Sequence, residues 1–299
     1  MKKIAIPKSL ELTEEMLKGF SEFEFVEYDK ETTNTIEDVS VWIGNPPKEL
    51  PKNLEFLQLL SAGFEHIDAK GMKEKGIVIS NGSGLTSQAI SEYCLGAILM
   101  VYRGFPQFAK NQEKGLWDRS TSLKSLVGKT IVIMGTGNIS EHIVRVLEPF
   151  NCTLYGINSN GRDIEGFKKC YSLSNRHEIL KEADIVIMAL PQNEATYHTI
   201  SDKEIQLMKK DAILMNVGRG ACVDMDAVLK NLDTHLSQVI FDVFEEEPLP
   251  EDHPIWFHTK AIVTPHNSYY SDHLKSNQQN LVLRNLKHIE KGEEPVNKI

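Results

Sequence analysis

The sequence predicts an α/β protein built from parallel sheets in two domains, and three observations carry that expectation. Short apolar or β-branched runs alternate with helical patterns through most of the chain, as strands joined by crossover helices do. Several runs (IVIM, IVIMAL, AILMNV) are almost continuously apolar, the mark of strands covered on both faces. The length of 299 residues suits about two domains at roughly 100–200 residues each.

In chain order, Lys3–Pro7, Phe23–Tyr28, Val39–Ile43, Glu55–Leu60 and Ile77–Ser80 read as the first strand series. Ser87 to about Lys114 reads as one long helical stretch, with no proline before Pro106, and polar Arg119–Lys129 leads into a second series. That series is Thr130–Gly135, Thr153–Asn158, Ile185–Ala189, Ala212–Val217, Gln238–Val243 and Ala261–Thr264. Ser271–Lys291 spaces Leu274, Leu281, Val282, Leu286 and Ile289 as one apolar helical face, and this helix is free to return to the first domain. The chain shows no repeat of 20–50 residues and no low-complexity tract.

Composition narrows the function classes. Hydrophobic residues at 41% and charged residues at 25% are those of an ordinary globular protein. A formal charge of -9 is opposite to the basic footprint of nucleic-acid binders. The best uncharged apolar run, Tyr93–Tyr102, is far shorter than the roughly 18–20 residues that span a bilayer. Lys2 and Lys3 precede Pro7, Lys8, Glu11, Glu14 and Glu15, which leaves no signal-peptide core. Cys94, Cys152, Cys170 and Cys222 form no CxxC pair, so a reducing cytoplasm is expected.

The sharpest motif is Ile131-Val-Ile-Met-Gly135-Thr136-Gly137-Asn138-Ile139-Ser140, an apolar run ending in a glycine turn that opens a helix. This is the context of a dinucleotide fingerprint: Gly135 permits the tight turn, Gly137 lets backbone approach a pyrophosphate, and helix amides hold the anion. Ser140 stands where the third glycine belongs. On the motif alone, a plain strand-to-helix turn competes with this reading. The GKT at Gly128–Thr130 precedes its strand and lacks the phosphate-loop frame. An acidic residue that grips the NAD ribose is expected at the end of the next strand, and Asn158 holds that place. Without a carboxylate there, a 2′-phosphate has room, with Ser159 and Asn160 as donors and Arg162 as charge. A surface turn rich in Asn, Ser and Gly is the competing reading.

Three further pieces complete the pattern: Asn216-Val-Gly-Arg219-Gly220, Asp242-Val-Phe-Glu-Glu-Glu247-Pro-Leu-Pro250 and Thr264-Pro-His266-Asn267, each after a strand. With Leu60-Ser-Ala-Gly-Phe-Glu-His-Ile-Asp68, Asn81-Gly and Ser91-Glu-Tyr93 in the same order, the chain closely resembles the D-isomer-specific 2-hydroxyacid dehydrogenases over nearly its whole length. Ser140, Asn158 and Tyr93 depart from that pattern. The resemblance implies two doubly wound parallel-sheet domains. A flavodoxin-like substrate domain is formed by residues 1–98 with 271–299, and an inserted Rossmann dinucleotide-binding domain by 99–270, with ligand in the cleft between them.

The resemblance also implies roles. His266 is the proton donor to the carbonyl oxygen, and Glu247 pairs with it to hold the imidazolium. Arg219 binds the substrate carboxylate and polarises the carbonyl. The N–H groups of Ala62 and Gly63 clasp the same carboxylate. Gly135, Thr136, Gly137, Asn138, Ile139, Asn158, Ser159, Asn160, Arg162, Leu190, Pro191, Val217 and Gly218 line the NAD(P), and Asp242 orients the nicotinamide amide. Singly, Arg219, Glu247 and His266 read as a helix cap, a member of an acidic run and a loop histidine; their conjunction favours the catalytic set.

The expected function is hydride transfer from NAD(P)H to a small 2-keto acid of the glyoxylate or hydroxypyruvate type, with NADP favoured and a homodimer as the assembly. The Ser87–Gly104 helix is expected to serve as core and to contribute to the subunit interface. The His253, Trp256, His258 group lacks zinc-ligand spacing, so no metal is expected. The competing class is a dinucleotide-sensing module like the carboxyl-terminal-binding-protein corepressors, whose long extensions this chain lacks. Formate dehydrogenase-like chemistry is disfavoured, because those relatives carry Gln where Glu247 stands.

Overall fold

In the computed structural model, which describes residues 1–299, the chain forms two units, Met1–Leu85 with Ser271–Ile299, and Thr86–Tyr270. The strands of the first are β1 (Lys2–Pro7), β2 (Phe23–Tyr28), β3 (Val41–Ile43), β4 (Phe56–Gln58) and β5 (Val78–Ser80). The second holds β6 (Thr130–Met134), β7 (Thr153–Asn158), β8 (Lys169–Ser172), β9 (Ile185–Met188), β10 (Ile213–Asn216), β11 (Gln238–Phe241) and β12 (Ala261–Val263). The helices are α1 (Glu14–Leu17), α2 (Ala69–Glu74), α3 (Ser87–Tyr102), α4 (Phe105–Glu113), α5 (Asn138–Leu147), α6 (His177–Leu180), α7 (Asp202–Leu207), α8 (Met225–Asn231) and α9 (Leu274–Lys291).

Both sheets are wholly parallel. The first runs β2-β1-β3-β4-β5, the flavodoxin-like order. Its faces separate by alternation along each strand. Ile4, Ile6, Val41 and Ile43 point to the side where Val282 and Leu286 of α9 pack, while Ala5 and Trp42 point to the side of Met72 on α2. The amphipathic C-terminal helix thus covers the first sheet, as its spacing suggested.

The second sheet runs β8-β7-β6-β9-β10-β11-β12, the doubly wound dinucleotide-binding order with one strand added. Ile131, Ile133, Ile185 and Ile187 face α3 and α5, against Ile90, Ile98, Ile143 and Leu147. Val132, Met134, Val186 and Met188 face Ile179, Ile205 and Val228 of α6, α7 and α8. Burial on both faces explains why these strands carry no polar alternation. The chain reverses direction across the sheet between β6 and β9, which makes the C-terminal edge there the place for a ligand.

Three features differ from the sequence expectation. The long helical stretch breaks at Gly104, which adopts φ +71° and separates α3 from α4. Leu99, Val101 and Gly104 itself supply the carbonyls that close the turn, and Pro106 sits in the first turn of α4, where its missing N–H costs nothing. Strand β8 is not evident in the sequence, being a four-residue edge strand that opens on Lys169 directly after Lys168. The second unit begins at Thr86, so the helix divided by the expected boundary at 98/99 is whole there. No helix is long and apolar enough to cross a membrane.

Candidate active site

Arg219, Glu247 and His266 follow β10, β11 and β12, three neighbours in one parallel sheet. Their loops therefore emerge side by side at its C-terminal edge. His266 has φ +50°, a left-handed conformation costly for a residue with a Cβ and kept only where surroundings enforce it. Enforcement comes from Asp242. Its backbone carbonyl accepts the His266 N–H at 2.8 Å. Its fully buried carboxylate accepts from the Thr264 hydroxyl at 2.5 Å and from the N–H groups of Asn267 and Ser268, each at 3.0 Å.

The ring of His266 meets Glu247 through Nδ1, 2.7 Å from Oε2. The other Glu247 oxygen accepts the Phe244 N–H at 2.8 Å, so the carboxylate is itself fixed by backbone. With Nδ1 engaged, Nε2 is the nitrogen left for a substrate. The Tyr269 ring stands edge-on to the imidazole at 6.1 Å. Glu245, two residues from Glu247, has different partners: Tyr197 Oη at 3.2 Å and His198 Nε2 at 3.1 Å.

Arg219 lies in a turn built by Asn216, whose amide donates to the Arg219 carbonyl at 3.0 Å and whose carbonyl accepts the Gly218 N–H at 3.1 Å. One guanidinium nitrogen of Arg219 donates to the Gly218 carbonyl at 2.9 Å. Gly220 presses the same turn onto the Glu247 loop: a Cβ there would lie 1.8 Å from the Phe244 carbonyl carbon. Local close packing thus ties the Arg219 turn to the loop of Glu247.

The residues present fit a dinucleotide at the other end of this edge. Gly135 takes φ +99°, and a Cβ on it would strike the Ala189 carbonyl at 2.5 Å, whereas a Cβ on Gly137 would meet open space. Gly137 caps α5 with no side-chain bond to its amides, the arrangement that leaves helix N–H groups for an anion. Ser140, in place of the third glycine, is buried and donates its hydroxyl to the Gly135 carbonyl at 2.7 Å, so it stabilises the turn. A cavity of 1080 Å³ starts at Thr136, Gly137 and Asn138 and runs along α5 to Asn151–Leu154, bordered also by Arg162 and Ile164–Lys168, so only its mouth touches the glycine turn. Ile139 follows in the first turn of α5. Leu190 and Pro191 follow β9, and Gly218 approaches Leu190 so closely that a Cβ would lie 2.8 Å from its carbonyl oxygen.

Asn158 is engaged within its own turn, as the surface-turn reading expects. Its carbonyl accepts from the N–H of Asn160 at 3.3 Å and of Gly161 at 2.7 Å, and its amide donates to the Arg162 carbonyl at 2.9 Å. Asn160 likewise accepts from the Arg162 N–H at 3.2 Å. These two side chains build the turn, leaving the exposed Ser159 and Arg162 as its outward groups.

In the first unit, Ala62 and Gly63 sit in a loop after β4 held by the Asn81-Gly82 pair. The Gly82 N–H donates to the Ser61 carbonyl at 2.7 Å, fixing the peptide plane that carries the Ala62 N–H. The Asn81 amide donates to the Ala62 carbonyl at 2.8 Å, fixing the plane of the Gly63 N–H. Nothing in the letters Asn81-Gly82 announces this role. In the second unit, the Tyr93 hydroxyl lies 2.8 Å from the Thr264 hydroxyl, a contact that the sequence does not signal.

The chain is similar to known proteins in sequence and in fold. Residues 95–268 match the family model of the D-isomer specific 2-hydroxyacid dehydrogenase NAD binding domain. A glyoxylate reductase of Thermofilum pendens is 31% identical over 250 residues, 81% of this chain and 74% of that protein. A D-3-phosphoglycerate dehydrogenase of Methanocaldococcus jannaschii is 28% identical over 82% of this chain and 47% of its own length. The crystal structure of a D-isomer specific 2-hydroxyacid dehydrogenase family protein from Aeromonas salmonicida aligns with a TM-score of 0.88 at 28% identity, over 100% of this chain and 98% of that one. The chain belongs to the D-isomer-specific 2-hydroxyacid dehydrogenase family and is an NAD(P)-dependent 2-hydroxyacid dehydrogenase.

Proposed function

We propose that this enzyme reduces a small 2-keto acid of the glyoxylate or hydroxypyruvate class to the D-2-hydroxy acid, and that His266, Glu247 and Arg219 carry the reaction. The observation that carries the reading is the 2.7 Å pairing of His266 with Glu247. When bound, the dinucleotide supplies the hydride that reaches the carbonyl carbon. Charge that develops on the carbonyl oxygen is met by a proton held at Nε2 of His266, and the C=O π bond becomes an O–H. Glu247 orients the imidazole and compensates its charge. Arg219 offers directed N–H donors to the substrate carboxylate, and the fixed amides of Ala62 and Gly63 serve as a second set. The glyoxylate reductase likeness supports the small substrate.

The dinucleotide is assigned to the turn Gly135–Ile139 with Leu190, Pro191, Val217 and Gly218, and its adenosine side to Ser159 and Arg162 in the turn shaped by Asn158 and Asn160. Because that turn bears no carboxylate to repel a 2′-phosphate, NADPH is used at least as well as NADH; the ratio of kcat/KM for the two cofactors with one keto acid tests this. The assembly proposed is a homodimer in the cytoplasm. Phe105, Leu116, Trp117 and Val127 are exposed, Trp117 by 91%, and such apolar surface suits burial against a second copy. Light scattering of the purified protein reads the oligomer directly. The four cysteines are unpaired, which suits a reducing compartment.

The decisive experiment replaces His266 by Gln. Gln keeps size and polarity but supplies no proton near neutrality, so 2-keto acid reduction falls by about 10²–10⁴ while dinucleotide binding, read by fluorescence quenching, survives. Near-normal turnover in H266Q removes the histidine from the mechanism.

A further inference from the structure

We propose that the Tyr93 hydroxyl is a positioning group for the proton donor: from α3 it braces, through Thr264 and Asp242, the loop that aims His266 at Glu247. The inference rests on the dehydrogenase reading above and adds to it a residue outside the reacting set.

The direction of each hydrogen bond follows from counting protons. Both Asp242 oxygens accept backbone N–H groups, from Asn267 and Ser268, and the Thr264 hydroxyl donates its one proton to Oδ1 at 2.5 Å. Thr264 therefore has only lone pairs to offer Tyr93, and the phenol is the donor across the 2.8 Å contact. The chain reads Tyr93 O–H to Thr264 O–H to Asp242, and Asp242 in turn holds the backbone on both sides of His266, which sits at φ +50°. Burial pushes the Tyr93 phenol up to about 12, aided by the charge of Asp242. The group thus keeps its proton throughout the range in which a dehydrogenase is assayed.

Why this matters for turnover is a matter of strain. A left-handed histidine relaxes unless its loop is overdetermined, and relaxation would carry the ring away from Glu247. The Tyr93 ring packs on the core between α3 and the sheet, and phenylalanine preserves that packing. Tyr93→Phe therefore removes the hydroxyl alone and leaves a Thr264 lone pair without its donor.

The test compares Y93F with T264V, which cuts the chain at its centre, and with Y102F, a control on the same helix. Each is assayed for kcat and KM with glyoxylate and NADPH, for dinucleotide affinity, and for the ring ¹⁵N signals of His266 in ¹⁵N-histidine-labelled protein, assigned by their loss in H266Q. Y93F is expected to lower kcat about tenfold, the value of one hydrogen bond, with KM and dinucleotide affinity within about twofold and the His266 signals displaced. T264V is expected to lose about a hundredfold, and Y102F to match the wild type. Turnover of Y93F equal to that of Y102F, unmoved His266 signals, or a loss expressed wholly in KM overturns the proposal. If the wild type reduces no 2-keto acid, the functional reading fails, while the ring signals still decide whether Tyr93 braces His266.

Discussion

Gly220 offers the strictest test of how the site is held, because it takes no part in chemistry and its φ is unexceptional. A methyl group there would lie 1.8 Å from the Phe244 carbonyl carbon, 2.1 Å from its oxygen and 2.2 Å from the Glu245 nitrogen. Carbon contacts are ordinary at about 3.5–4.0 Å, so the Phe244–Glu245 backbone must retreat by more than about 1.5 Å or the Arg219 turn must do so instead. All three obstructing atoms are backbone, which no rotamer change relieves. Phe244 N–H holds Glu247 and Glu247 holds His266, so either retreat separates groups that the proposed mechanism requires together. A misplacement of about 1 Å costs on the order of 10²-fold, and overpacking costs about 1–3 kcal/mol of stability. Gly220→Ala should accordingly keep a folded protein that binds dinucleotide yet lose about a hundredfold or more in kcat/KM for a 2-keto acid. Gly137→Ala is the contrast: its new methyl meets nothing within 4 Å, so the melting temperature stays while KM for the dinucleotide rises. Wild-type turnover in Gly220→Ala, with an unchanged melting temperature, would refute the claim that close packing of these two loops sets the catalytic geometry.

Three other outcomes are expected. Glu247→Gln removes the charged acceptor that fixes the His266 ring, so kcat for a 2-keto acid falls by about tenfold or more, whereas Glu245→Gln, whose partners are Tyr197 and His198, leaves kcat in place; equal losses would mean that the wrong carboxylate has been chosen. Asn158→Asp replaces the amide that donates to the Arg162 carbonyl with an oxygen, so preference should shift toward NADH and KM for both cofactors should rise as the turn loosens; an unaltered cofactor ratio counts against the assignment. Glu204, buried, is raised by burial but more than offset by hydrogen bonds from Ser201 and His177 and by the Arg176 charge, which hold it at about 2; being depressed on folding, it contributes about 3 kcal/mol that is complete above about pH 4.5 and lost as pH falls toward 2, and denaturant melts of Glu204→Gln should lack that acid-side slope.

What the sequence disclosed depended on whether the determinant was a side chain in a regular frame. The apolar run into Gly135 and Gly137 was readable, because a strand, a turn that only glycine fits and a helix leave a local record. The strand at Lys169–Ser172 left none, since an edge position buries little and only Cys170 of its four residues is buried. The break at Gly104 was hidden for the opposite reason: apolar residues continue on both sides of it, and periodicity reports burial rather than backbone direction.

At the site the same division holds, and it bears on cofactor choice. Arg219, Glu247 and His266 stand in recognisable frames, but what fixes them is largely main chain: the Phe244 N–H, the Asp242 carbonyl and the amides of Asn267 and Ser268. Main-chain donors carry no residue identity, so no pattern of letters announces them. Tyr93 meets Thr264 from 171 positions away, a distance at which neither residue marks the other. Asn158 shows the consequence. Its lack of a carboxylate was plain from the sequence, but its amide is spent on the Arg162 carbonyl and its oxygen on Asn160 and Gly161. The proposed discrimination between the two cofactors rests on a turn whose shape Asn158 sets and whose charge Arg162 supplies, so Asn158→Asp changes both, whereas replacing Arg162 removes the charge and keeps the backbone carbonyl that Asn158 holds.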